Sequence, residues 1–186
     1  MSPLVNKSKK IINKSTSHNT NVTFFFCLSL VILINVFLNY KEPFETWIEI
    51  VGTIFQIAIP MYALVPVLWK KDKVGALQMI KVLIFVVGIT WAFKLGLSNV
   101  FGIDDTRPRG GSMSFPSGHT AGAFSGAVFL ALRYGLKYAI IAVPLAAFVG
   151  FSRIYSFAHW PTDVIAAVIL CCLGGLIFVK PLKKRK

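Results

Sequence analysis

An all-α membrane protein of six transmembrane helices is the fold that this 186-residue sequence predicts, on three observations. The composition is 55% hydrophobic against 15% charged, with mean hydropathy +0.69, more apolar surface than a soluble domain of this size can bury. Apolar stretches of ~17–25 residues, the length needed to cross a bilayer, recur six times along the chain. Finally, the formal net charge of +13 is sorted between alternate connections rather than spread evenly.

The expected spans are Val22–Tyr40, Trp47–Trp69, Gly75–Leu97, Ser117–Tyr134, Tyr138–Tyr155 and Asp163–Val179. The first follows a basic stretch (Lys7, Lys9, Lys10, Lys14), which imitates a secretory signal, but no small-residue cleavage site follows it, so an uncleaved helix is expected. The second contains Pro60 and the fifth Pro144, each a tolerable kink where neighbours satisfy the freed carbonyl. The fourth and fifth are short. The fourth is rich in small residues (Ala121, Gly122, Ala123, Ser125, Gly126, Ala127), which suits close helix contact. The expected organisation is a basic tail over 1–21, one six-helix domain over 22–180, and a second basic tail over 181–186.

Fifteen of the 20 basic residues fall on one side of such a bundle and five on the other: Lys41, Lys94, Arg107, Arg109 and Arg153. The first side has Asp72 as its one acid and carries +14. The second has Glu42, Glu45, Glu49, Asp104, Asp105 and Asp163 and carries −1. Both termini are therefore expected in the cytoplasm, with the loops at 41–46, 98–116 and 153–160 outside. A basic balance also marks nucleic-acid binding, but no basic patch is interleaved with base-stacking aromatics, and that class is excluded. Cys27, Cys171 and Cys172 all lie in apolar runs without metal-ligand spacing and read as small hydrophobes. His18, in the basic tail, has no expected part in chemistry.

The outward connections hold the chemically capable residues. In Ser114-Phe115-Pro116-Ser117-Gly118-His119-Thr120, Ser117 is a good N-cap, Gly118 allows close approach to the backbone, and the first-turn N–H groups form an anion site beside His119. In Ser152-Arg153-x5-His159-x3-Asp163, the carboxylate can bond one imidazole nitrogen, fix the tautomer and leave the other nitrogen free to attack. Pro161 suits a helix start, with His159 just before it. Arg153, Arg107 and Arg109 offer planar forks for phosphate oxygens. Two histidines, several fixed cations and a helix N-terminus point to phosphoryl transfer in which Arg and Lys supply the charge that magnesium usually supplies.

These residues resemble the type 2 phosphatidic acid phosphatase (PAP2) superfamily, membrane lipid phosphatases related to vanadium haloperoxidases, whose pattern is K-x6-R-P, P-S-G-H and S-R-x5-H-x3-D. Pro116-Ser117-Gly118-His119 matches the second motif, and Ser152, Arg153, His159 and Asp163 match the third in full. The first departs. Arg107-Pro108 is present, but Lys94, the nearest upstream lysine, is separated from Arg107 by twelve residues. Either the loop carries an insertion that includes Asp104-Asp105, or Lys94 is not the family lysine and Arg109 is the natural substitute.

The resemblance implies a haloperoxidase-like helical bundle and a phosphohistidine mechanism without metal or other cofactor. His159 would attack phosphorus, oriented by Asp163, and His119 would protonate the leaving alkoxide. Lys94, Arg107, Arg153, Ser117 and Gly118 would bind the phosphate. The implied partners are the lipid bilayer and a membrane lipid phosphate, in a bacterial inner membrane with the site facing the periplasm. Lipid A phosphate, undecaprenyl pyrophosphate and phosphatidylglycerophosphate are the substrate candidates. The run Arg107-Pro108-Arg109-Gly110-Gly111-Ser112 is similar to that of bacterial lipid A phosphatases and favours the first. A lipid phosphotransferase uses the same chemistry. The alternative from another class is an inactive lipid-binding or anion-transporting protein, against which stands the lack of internal duplication.

Overall fold

In a computed structural model, residues 46–182 are described, and among them every regular element is helical. The helices are α1 (Thr46–Trp69), α2 (Lys73–Asn99), α3 (Gly118–Tyr134), α4 (Leu136–Ala139), α5 (Ala142–Tyr155) and α6 (Pro161–Phe178). The expected first span, both basic tails apart from Pro181 and Leu182, His18 and Cys27 lie outside the described residues. Of the six expected spans, three are helices long and apolar enough to cross a membrane: Trp47–Trp69, Lys73–Leu97 and Pro161–Phe178. Two are shorter. At 1.5 Å per residue the 17 residues of α3 reach only about 25 Å, less than the ~30 Å hydrocarbon core.

α3 is the axle of the bundle. It packs against α1, α2, α5 and α6, and almost every side chain from Thr120 to Tyr134 is buried. Its small residues make this possible: a Cβ on Gly126 would stand 2.8 Å from the Cα of Pro60 in α1. Gly175 of α6 serves the same purpose against Val128 and Leu132. The core is Phe124, Ala127, Val128, Leu130 and Ala131 of α3 with Ala63, Val82, Val86, Ala146 and Ala167 from the helices around it. Large apolar side chains on the outer faces, such as Ile54, Ile57 and Leu68 of α1, Ile80 and Ile84 of α2 and Leu176 of α6, are exposed, as lipid-facing surfaces require.

The expected fifth span, Tyr138–Tyr155, is not continuous: α4 ends at Ala139 and α5 begins at Ala142. Pro144 explains the break. Its ring would clash with the carbonyl of Ile140 if the helix ran on, but in the first turn of a new helix it costs nothing. The kink expected within a span is thus a helix start. α2 begins two residues earlier than expected because Asp72 caps it, its Oδ1 accepting from Gly75 N at 2.9 Å. α6 likewise begins at Pro161, where a missing N–H is harmless.

Candidate active site

The chain direction alternates, so the first turns of α1, α3 and α6 meet the last turns of α2 and α5 at one end of the bundle. At α3, Ser117 is the cap: its Oγ accepts from Thr120 N at 3.4 Å and lies 2.9 Å from Thr120 Oγ1. The preceding Phe115–Pro116 peptide is cis. Ser117 N donates to Asp163 O at 3.1 Å, which stitches the start of α3 to the start of α6. Gly118 and His119 thereby occupy a first turn whose free N–H groups and positive dipole end favour an anion.

At α6, Asp163 Oδ2 accepts from Trp160 N at 2.9 Å and from Ser114 Oγ at 2.5 Å. The same oxygen lies 3.5 Å from His159 Nδ1, within ion-pair reach but too long for a well-formed hydrogen bond, and His159 Nδ1 has no hydrogen-bond partner among the described residues. Catalytic hydrogen bonds are often this loose before substrate tightens them. His159 itself is 3% exposed and sits in the turn after α5, its backbone N donating to Arg153 O at 3.2 Å. Burial pushes the His159 imidazole below its ordinary value, outweighing the carboxylate of Asp163, and so favours the neutral ring.

The structure brings Lys94 to this site. It is 8% exposed near the end of α2, and its Nζ donates to Met113 O at 2.5 Å. The loop folds back to allow this, beginning with Phe101 N to Gly96 O at 3.0 Å and Ile103 N to Leu97 O at 2.9 Å. Asp105 then brackets the loop against the approach to α3, its Oδ1 accepting from Phe115 N at 2.7 Å and its backbone O from Ser114 N at 3.1 Å. The loop is also tied to α6 through Trp160 Nε1, which donates to Thr106 O at 2.8 Å.

A cavity of about 380 Å³ joins these groups. Lys94, Arg107, Gly118, His119 and His159 line its polar part. Val86, Val87 and Trp91 of α2 line part of the remainder, with Met113, Ala121 and Gly122, and with Gln56 and Thr90 as neutral polar groups. Arg107 Nε and Thr90 Oγ1 are buried and without a hydrogen-bond partner among the described residues. Unmet donors beside a cavity are what an incoming anion would satisfy.

The other two arginines stand apart from the cavity lining. Arg153, at the end of α5, is 1% exposed. Its Nε donates to Ser152 Oγ at 3.1 Å, Nη1 to Glu49 Oε1 at 3.4 Å, and Nη2 to the Glu49 backbone carbonyl. Its charge acts on His119. Arg109 grips the same Glu49 carboxylate with two bonds, Nη1 to Oε2 at 2.7 Å and Nη2 to Oε1 at 2.9 Å, which raises its already high pKa. Sequence reasoning treated Glu49 only as a unit of charge. No pattern spacing could have joined it to partners 60 and 104 residues away. Among the described residues no three His, Cys, Asp or Glu side chains are grouped to hold a metal.

Comparison with known proteins gives a family match over part of the chain and several curated relatives. Residues 99–186 match the PAP2 superfamily. The chain is 40% identical over 73 residues to a lipid A 1-phosphatase of Porphyromonas gingivalis, covering 37% of this chain and 16% of that protein. It is 37% identical over 71 residues to a lipid A 4'-phosphatase of Bacteroides thetaiotaomicron, covering 38% and 32%. To an undecaprenyl-diphosphatase of Sulfolobus acidocaldarius it is 32% identical over 117 residues, covering 60% and 57%. The chain therefore spans from about a sixth to just over half of the length of these relatives. No solved structure matches it at a significant level.

Proposed function

Starting from a chain that carries a PAP2 superfamily domain over residues 99–186, we propose that it is a membrane phosphatase that removes phosphate from an envelope lipid, with lipid A the favoured substrate. The observation that carries the reading is the convergence of His119, His159, Lys94 and Arg107 on one cavity that also has an apolar wall, formed by Val86, Val87 and Trp91 of the membrane-crossing helix α2. A phosphate fits the first set and the lipid part of the substrate fits the second. The lipid A phosphatase relatives favour lipid A. The second reading is a polyprenyl diphosphate, favoured by the larger share of this chain, 60%, that aligns with an undecaprenyl-diphosphatase.

In the proposed reaction His159 attacks phosphorus through Nε2, since Nδ1 faces Asp163, and an N–P bond forms as the P–O bond to the lipid breaks. His119 gives its proton to the departing alkoxide. Water, giving a proton back to His119, then attacks the phosphohistidine; the N–P bond breaks, inorganic phosphate leaves, and both histidines are restored. Lys94 and Arg107 hold the equatorial oxygens with the first-turn N–H groups that begin at Gly118 behind the Ser117 cap, and Arg153, whose charge acts on His119, joins them. No metal or other cofactor takes part. Arg109, engaged with Glu49, serves the loop rather than the phosphate.

The architecture that goes with this reading is a six-span, haloperoxidase-like bundle over 22–180 between basic tails at 1–21 and 181–186. It lies in a bacterial inner membrane with both termini cytoplasmic, and the site faces the periplasm because the basic residues gather at the other end. Phosphate release by the detergent-purified protein tests the activity. Lipid A, undecaprenyl pyrophosphate and phosphatidylglycerophosphate are compared, with EDTA and His159→Ala as controls. EDTA-resistant release that His159→Ala abolishes is expected. Tight binding of these lipids without release would mark a non-catalytic carrier, and transfer of phosphate to a second lipid a phosphotransferase.

A further inference from the structure

We propose that Glu49 is a positioning residue of this site, holding Arg153 in the orientation from which it meets the substrate's phosphate. The inference rests on the phosphatase reading above and deepens it. Arg153 is buried to 1% exposure, and a buried guanidinium needs both a counter-charge and fixed acceptors. Among the described residues Glu49 is the one carboxylate that pairs with it. It grips Arg153 twice, through its side-chain Oε1 and through its backbone carbonyl. Ser152 Oγ takes Nε and is itself fixed by donating to Val149 O at 2.7 Å. A guanidinium has about five N–H donors. With three engaged here, two remain for phosphate oxygens.

The seat extends one turn along α1. A Cβ on Gly52 would collide with Ser152 Oγ and come within 2.8 Å of Arg153 Nη2, so α1 and α5 can meet this closely only with glycine there. Glu49 and Gly52, three residues apart, present one helix face: the first supplies acceptors and the second supplies room. The bidentate pair with Arg109 then fixes the Glu49 carboxylate from the loop side. Loop, α1 and α5 are thus joined through one side chain that is itself 20% exposed and outside the cavity lining.

The test uses the full-length protein in detergent, the lipid phosphate that the wild type cleaves, and orthovanadate as a mimic of the five-coordinate transition state. Glu49→Gln is expected to lower kcat ~10- to 100-fold, the cost of a fork misplaced by about an ångström. KM should change by less than about threefold, and orthovanadate should weaken in proportion to kcat. Gly52→Ala, with every charge in place, should show the same split. It decides the matter if Glu49→Gln melts at a much lower temperature. The exchange Glu49→Arg with Arg109→Glu restores the pair between loop and α1 but sets a cation against Arg153, and it should stay inactive. Recovery in that double variant, kcat within about twofold of wild type in both single variants, or faster turnover in Glu49→Gln would overturn the proposal. Absence of phosphate release by the wild type, or release that survives His159→Ala, would instead bring down the phosphatase reading itself.

Discussion

The two ends of α3 are built from similar residues to opposite effect. At the end near Tyr134, Asp72 accepts from Arg133 Nε at 2.8 Å and Nη2 at 2.7 Å, from Tyr134 Oη at 2.9 Å and from Gly75 N at 2.9 Å. Arg133 spends a further donor on Lys180 O at 2.7 Å. Every strong group there is answered by protein. At the end near His119, His159 Nδ1, Arg107 Nε, Thr90 Oγ1 and Asp105 Oδ2 are buried with no hydrogen-bond partner among the described residues. A saturated buried ion pair is a clasp, whereas a cluster of unanswered polar atoms around a cavity is held ready for something else. Sequence composition does not separate the two, since each end mixes Asp with Arg. The hydrogen-bond accounting does.

If the comparison is right, activity and stability come apart when the ends are altered separately. The largest effect is expected from His159→Ala, which should lower turnover on the order of 10⁴-fold or more while its melting temperature stays near that of the wild type. His119→Ala should also abolish measurable release, since general acid catalysis contributes roughly 10²–10⁴-fold. Retained turnover in either variant would erase the distinction. Asp72→Ala should do the reverse: it strands the buried Arg133 and should cost about 3–5 kcal/mol of stability, with turnover per folded molecule unchanged. A loss of kcat in the molecules that remain folded would contradict it.

Acid offers a finer probe of the clasp. The Arg133 guanidinium holds the Asp72 carboxyl down to about 2 from its ordinary 3.8. A carboxyl depressed in this way stabilises the fold fully above about pH 4, and that stability is lost as pH falls through 2. The shift corresponds to about 2 kcal/mol. The difference in melting temperature between wild type and Asp72→Asn should therefore be large at neutral pH and shrink as pH approaches 2. A difference that persists unchanged there would mean that the pair owes nothing to the carboxylate's charge. The smallest effect is expected from Ser114→Ala, which removes one of the donors that steady Asp163 and should reduce kcat about tenfold while lowering the melting temperature by less than Asp72→Ala does.

Much of this was legible in the sequence, and the reasons are local. Ser117 as a cap, Gly118 and His119 in a first turn, and His159 four residues before Asp163 are short-range patterns, and the structure places them as their spacing suggests. The reach of Lys94 was not legible, because the twelve residues before Arg107 hide a loop that folds back through Phe101 and Ile103. The diversion of Arg109 to Glu49 was not legible either, since it depends on α1 standing beside that loop. The break before Pro144 could have been read from the ring's clash with Ile140, but continuous hydrophobicity outweighed it.

The central claim is that His159 carries the phosphoryl group, and trapping that intermediate tests it most directly. Wild-type protein quenched in base after brief exposure to ³²P-labelled lipid phosphate should carry acid-labile, base-stable label on His159, with or without EDTA, and His159→Ala should carry none. Phosphate release with no label on wild-type protein, or equal label on His159→Ala, would contradict the account.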